Sequence, residues 1–160
     1  MPTWQTLRAV APELAAAGEA RLRRFGVAML GTLRSDGSPR ISPVEPYLDS
    51  GELLFGLFRG SAKAHDLMAD PRCTLHSIVD DPDAGQPELT IRGRFVEVDE
   101  RARRADPNAW WLSFEHARPL VGTIEVEAAA LVRFDLSAGE LSIARWTPSD
   151  GVVELRKPYP

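Results

Sequence analysis

Leu53-Leu54-Phe55-Gly56-Leu57-Phe58-Arg59-Gly60-Ser61-Ala62-Lys63-Ala64-His65-Asp66-Leu67-Met68 reads as a strand, a tight turn and the start of a helix. The apolar run ends at Gly60, which permits a sharp turn, and Ser61 is a good N-cap. Ala64, Leu67 and Met68 then form an apolar stripe at helical spacing until Asp70-Pro71 closes the helix. A helix that opens this way aims unpaired N–H groups and the positive end of its dipole at the space above its first turn. Lys63 in that turn, with Arg59 just before it, makes the space suitable for a phosphate. Lysine at a helix N-terminus otherwise opposes the dipole by a few tenths of a kcal/mol, a cost that a bound anion offsets. The plainer alternative is a solvated Lys63 on an ordinary capped helix.

Working outward, residues 27–33 are strand-like, Ser35-Asp36-Gly37-Ser38 is a hairpin turn, and residues 39–47 form the returning strand. Asp49-Ser50-Gly51 turns into residues 52–58, so a three-strand meander is expected before the helix. Residues 73–79 make a fourth strand, and residues 80–87 a loop rich in breakers. Residues 88–98 make a long fifth strand in which Gly93 marks a bulge. A charged helix over 99–104 and a short apolar helix or turn at Trp110-Trp111-Leu112-Ser113-Phe114 follow. A sixth strand over 125–135, a turn at Ser137-Ala138-Gly139 and a seventh strand over 140–146 lead to a tail ending Lys157-Pro158-Tyr159-Pro160. Upstream, residues 1–25 are a helical arm of two short helices interrupted at Pro12 and Gly18, with Arg21, Arg23 and Arg24 on a solvated face. The expected fold is mainly β with flanking helices: a six- to seven-stranded antiparallel barrel, closed or nearly closed, in one domain spanning 1–160.

The 160 residues suffice to bury roughly two-thirds of the extended chain's surface. A formal charge of −4 argues against a general nucleic-acid or anionic-membrane binder. No apolar run approaches the ~20 residues that span a bilayer. One cysteine, Cys73, excludes an internal disulfide framework, and the expected location is the cytoplasm. In a strand Cys73 reads as a buried small hydrophobe, and His65, His76 and His116 fall at no zinc spacing, so no metal site is expected. Trp110 and Trp111 are either a lid over a ligand or part of a core or dimer interface.

The ordered set Val27-Ala28-Met29-Leu30-Gly31-Thr32, Asp36-Gly37-Ser38-Pro39-Arg40-Ile41-Ser42-Pro43-Val44, Leu53-Leu54-Phe55-Gly56, Gly60-Ser61-Ala62-Lys63-Ala64-His65-Asp66-Leu67 and Asp70-Pro71-Arg72 resembles the pyridoxamine 5′-phosphate oxidase-like, FMN-binding split-barrel family. The resemblance implies a split barrel that forms a homodimer, with a flavin in a cleft between the subunits. It implies Arg40, Ile41, Ser42 and Pro43 beside the isoalloxazine and ribityl chain, Phe55, Gly56 and Leu57 along the ribityl, and Ser61, Ala62 and Lys63 at the phosphate. Ala144-Arg145-Trp146 resembles an Arg-Trp pair that some members bring to the flavin, which adds Arg145 and Trp146; the alternative is a strand end with Trp146 packed on the barrel. The chain departs from the oxidase proper at Ala62, where a second basic residue stands, and lacks its substrate-phosphate signature near the C-terminus.

A flavin carries the redox chemistry itself, so no catalytic acid or base is assigned. The expected activity is an FMN-dependent oxidoreductase acting on a small organic substrate. A related branch of the fold binds the deazaflavin F420, whose acidic tail Arg21, Arg23, Arg24, Arg59, Arg92 and Arg94 would serve. A third reading is a flavin- or haem-binding protein without turnover.

Overall fold

The computed structural model describes residues 1–81 and 85–159, so part of the breaker-rich loop at 80–87 and the terminal Pro160 lie outside the described residues. The helical arm is two helices, α1 (Trp4–Val10) and α2 (Pro12–Phe25). Pro12 occupies the first turn of α2, where its missing N–H costs nothing, and Gly26 ends the helix in the left-handed region at φ 64°. Gly18 does not interrupt the arm as expected. It lies inside α2, where a Cβ would come within 3.0 Å of Leu89 Cδ1, so the missing side chain lets the helix seat tightly. Arg21 also departs from its expected solvated face. It is 6% exposed and donates to Ile78 O at 2.8 Å, to Asp80 Oδ1 at 3.2 Å and to Gln86 Oε1, because the inner side of α2 packs on the sheet.

Strand β1 (Ala28–Leu33) pairs antiparallel with β2 (Pro39–Val44) on one side and β4 (Arg72–Ser77) on the other. From β4 the sheet continues antiparallel through β5 (Glu88–Glu97) and β6 (Leu120–Asp135) to β7 (Glu140–Thr147) and β8 (Gly151–Pro158). The short β3 (Phe55–Leu57) pairs with the start of β6, placing Phe55 opposite Gly122. An isolated bridge between Tyr47 and Leu54 joins the chain after β2 to the chain before β3. The circuit β2-β1-β4-β5-β6-β3 therefore returns to its first strand through that one bridge, which is where the barrel is split. One core cluster joins Leu30, Leu75, Leu89, Ile91, Phe95 and Ile124 of the strands to Trp4, Leu7 and Leu22 of α1 and α2.

Three expectations about the strands are corrected. The first 58 residues do not form a three-strand meander, because β3 is only three residues long and its ladder partner is β6. Strand β6 starts at Leu120 rather than 125, and residues 120–124 are buried throughout, so they lack the alternation that marks a strand with one wet face. The tail supplies an eighth strand: Asp150 N bonds to Thr147 Oγ1 at 3.1 Å and Gly151 takes φ 67°, turning β8 back along β7. The bulge at Gly93 is present as a register shift between Arg92 and Gly93. A Cβ there would stand 1.9 Å from Glu125 O, so the site requires glycine.

Helix α3 (Ala62–Ala69) starts where expected, with the Ser61 hydroxyl accepting from Ala64 N at 3.4 Å. It packs against β1, where Thr32 Oγ1 donates to Asp66 Oδ2 at 2.8 Å. Among the described residues no helix is long and apolar enough to cross a membrane.

Candidate cofactor site

A cleft of about 480 Å³ opens between the end of β2, strand β3, the N-terminus of α3 and a 3₁₀ helix over Trp110–Ala117. Pro43, Val44 and Glu45 form one wall, Gly56, Leu57 and Phe58 the floor, and Ser61 and Lys63 the end. Trp110 and Phe114 close the remaining side. Lys63 Nζ donates to Pro43 O at 2.6 Å, so the ammonium reaches across from α3 to β2. Partial burial lowers the Lys63 pKa from the ordinary lysine value, and the charge of Glu45 works against that.

The floor depends on Gly56. A Cβ there would lie 2.5 Å from Trp111 Cε3 and 3.1 Å from Trp110 Cζ2. Trp111 cannot withdraw: it is fully buried, donates from Nε1 to Arg103 O at 2.8 Å and packs edge-on to Tyr47 at 4.8 Å. The two tryptophans thus divide the roles weighed for them, with Trp111 in a satellite core and Trp110 on the cleft.

Of the residues implied by the resemblance, Pro43, Gly56, Leu57, Ser61 and Lys63 meet in this cleft. Ala62 is exposed beside them at the first position of α3, where its amide and that of Lys63 precede the helical hydrogen-bond ladder. Arg40 is paired with Asp66, with Nε donating to Oδ2 at 2.7 Å, and neither it nor Ser42, on the same side of the strand, is among the lining residues. Ile41 is 71% exposed, on the opposite side from Arg40. Phe55 is in the core against Phe95, with ring centroids 5.5 Å apart. Arg145 is exposed on β7, 3.8 Å from Asp150, and Trp146 is buried in the main core; neither lines the cleft of its own chain. The flanking Arg59 is engaged by Glu97 at 2.6 Å and by Arg118 O at 3.2 Å. Val27, Val44, Glu45, Phe58 and Phe114 are lining residues that sequence reasoning missed. For Phe58 and Phe114 the only signal was an apolar residue at the end of a predicted element.

The sequence model of the family described as pyridoxamine 5′-phosphate oxidase matches residues 14–133. The chain belongs to that family. Solved structures related to this member show the fold at low sequence identity. A pyridoxamine 5′-phosphate oxidase-related, FMN-binding protein from Nostoc punctiforme PCC 73102 is 11% identical with a TM-score of 0.60, over 98% of this chain and 99% of that one. A heme binding protein from Mycobacterium smegmatis is 16% identical with a TM-score of 0.58, over 90% and 88%. A protein described as an F420 reductase is 22% identical with a TM-score of 0.53, over 70% and 94%. No curated protein is significantly similar in sequence. Proteins that share this fold are thus described as FMN-binding, heme-binding and F420 reductase, so the fold alone does not assign a ligand.

Proposed function

We propose that this chain binds FMN in the cleft and acts as an oxidoreductase on a small organic substrate. The observation that carries the reading is the placement of Lys63. Its ammonium lies in a cleft of ligand size, at the N-terminus of a helix capped by Ser61, as a phosphate requires. In this reading Lys63 leaves Pro43 O for the phosphate, and the amides of Ala62 and Lys63 donate to the same group. Pro43, Gly56 and Leu57 flank the chain and ring that follow. When bound, FMN supplies hydride and one-electron chemistry. Trp110 and Phe114 keep water from one side of the cleft.

The donor set favours FMN over the other cofactors found on this fold. Arg21 and Arg24 are paired with Asp80, Arg23 with Asp49, Arg59 with Glu97 and Arg92 with Glu127. Among the described residues none of these arginines lines the cleft of its own chain, which supports FMN, with its single phosphate, over the long acidic tail of F420. Among the described residues no histidine lines the cleft of its own chain, which supports FMN over haem, a group that calls for an axial ligand.

The functional unit we propose is a homodimer with the cleft at the subunit interface; sedimentation equilibrium is expected to give twice the chain mass of 17.6 kDa, and a monomer mass overturns it. The decisive experiment titrates the purified protein with FMN and, separately, F420, following absorption and fluorescence, then adds NAD(P)H to the loaded protein. Tight FMN binding with bleaching and turnover is expected. Preference for F420, or binding of neither, overturns the FMN reading; FMN binding without turnover by any donor overturns the oxidoreductase.

A further inference from the structure

We propose that the elbow between α1 and α2 covers a second binding site, for an aliphatic cation of the alkylammonium class. The site shares no lining residue with the cofactor cleft and does not rest on the function proposed for it. Helix α1 ends at the elbow because the residue before a proline is pushed out of the helical region, and α2 starts anew at Pro12. Beyond the elbow Leu14, Ala15 and Leu22 are buried, yet Val10 before it is 57% exposed. The sheet shows the same edge of cover. Trp146 of β7 stands opposite Ala129 of β6, and both belong to the main core. Two residues along, on the same face, Leu131 stands opposite Ala144, and both are only partly buried. Val152 of β8, opposite Trp146, is 44% exposed. The arm therefore stops short of covering this face. An opening of about 430 Å³ remains, lined by Val10, Pro12 and Leu14 of the arm and by Leu131, Ala144 and Val152 of the strands.

The chemistry of the lining selects the ligand. Its apolar walls are aliphatic, without an aromatic ring, so they give dispersion contact and exclude water but offer no stacking platform. The charged groups are Glu13, in the first turn of α2, and Glu154, opposite Ala144 on β8. Among the described residues neither makes a hydrogen bond or ion pair, and no lysine, arginine or histidine lines the opening. Two carboxylates without a countercharge beside an apolar floor suit a ligand whose hydrocarbon is buried while its cationic head stays at the rim. Two residues further along the same face stand Arg133, Ser142 and Arg156, which keep such a head at the glutamates. An anionic amphiphile of the same length is repelled by both glutamates, and of that arginine row Arg156 is already paired with Glu140 at 3.4 Å.

The test titrates octyltrimethylammonium, hexyltrimethylammonium and octanoate calorimetrically into the full chain at low ionic strength, each below its micelle-forming concentration. The octyl cation binds at least ~10-fold more tightly than octanoate. It also binds roughly 10-fold more tightly than the hexyl cation, because two more methylenes are buried. The double variant Glu13→Gln/Glu154→Gln, changed only at the rim, brings the octyl cation and octanoate to within ~2-fold of each other and keeps the dependence on chain length. No binding of the octyl cation, equal affinity for octanoate, or an unchanged preference in the double variant overturns the proposal. Equal affinity for the two cations overturns it as well, since that is the behaviour of counterions held by surface carboxylates alone.

Discussion

Arg40 Nε donates to Asp66 Oδ2 at 2.7 Å, and the same carboxylate oxygen accepts from Thr32 Oγ1 at 2.8 Å. One buried acid on α3 thereby ties the helix to both strands of the first hairpin, and the helix carries Lys63. Asp66→Ala leaves Arg40 partly buried without its partner and the buried Thr32 hydroxyl without an acceptor. It is expected to cost about 2–4 kcal/mol, read as a lower urea midpoint.

Acid sensitivity follows from the same carboxylate. Burial opposes ionisation of Asp66, but hydrogen bonds from Arg40 and Thr32 and the Arg40 charge together outweigh it and hold the pKa below the ordinary 3.8. Asp70, bonded by Arg72, is held at about 2. Folded-state values below the unfolded ones mean that the stabilisation is fully present above about pH 4 and is lost as the pH falls through the folded values. Urea midpoints measured from pH 7 to pH 2 should be flat at first and fall below about pH 4, and Asp66→Asn should show a shallower fall.

Lys63 is the cleft's phosphate ligand in the proposed function, and its removal separates phosphate binding from ring binding. Lys63→Ala should weaken FMN by about 1–3 kcal/mol, roughly 5- to 150-fold, and leave riboflavin affinity unchanged. Because partial burial lowers the Lys63 pKa, FMN affinity should start to fall with rising pH before the ordinary lysine value of 10.5 is reached. An alkaline titration by flavin fluorescence checks this, with Lys63→Ala showing no such fall.

Gly56→Ala drives a methyl into the indole of Trp111, which is pinned by Arg103 O and by the surrounding cluster. A destabilisation of about 1–3 kcal/mol is expected, the range for overpacking a filled core. Near-ultraviolet circular dichroism should change as well, since the added methyl also displaces Trp110 from the cleft wall.

Burial pushes the Cys73 thiol up to about 12. It should therefore resist alkylation by iodoacetamide at pH 8 in the folded protein. Labelling at the rate of an unstructured thiol under native conditions would refute this. In rising urea the labelled fraction should follow the unfolding curve.

The local devices were legible from neighbouring residues alone. The Gly60-Ser61 turn and cap, the start of α3, the bulge at Gly93 and the hairpin at 35–38 each depend on residues within a few positions of one another, where backbone freedom and side-chain capping decide the outcome. With the ordered motifs the sequence also led to the split-barrel family and to Pro43, Gly56, Leu57, Ser61 and Lys63, which line one cleft. Only the tertiary structure decided that β3 belongs beside β6, that residues 151–158 form an eighth strand, and that Arg21 is buried. It also decided that Arg40 pairs with Asp66, and that Glu45, Phe58, Trp110 and Phe114 complete the cleft's walls. These outcomes rest on strand register and on contacts between residues tens of positions apart, which local preference does not encode.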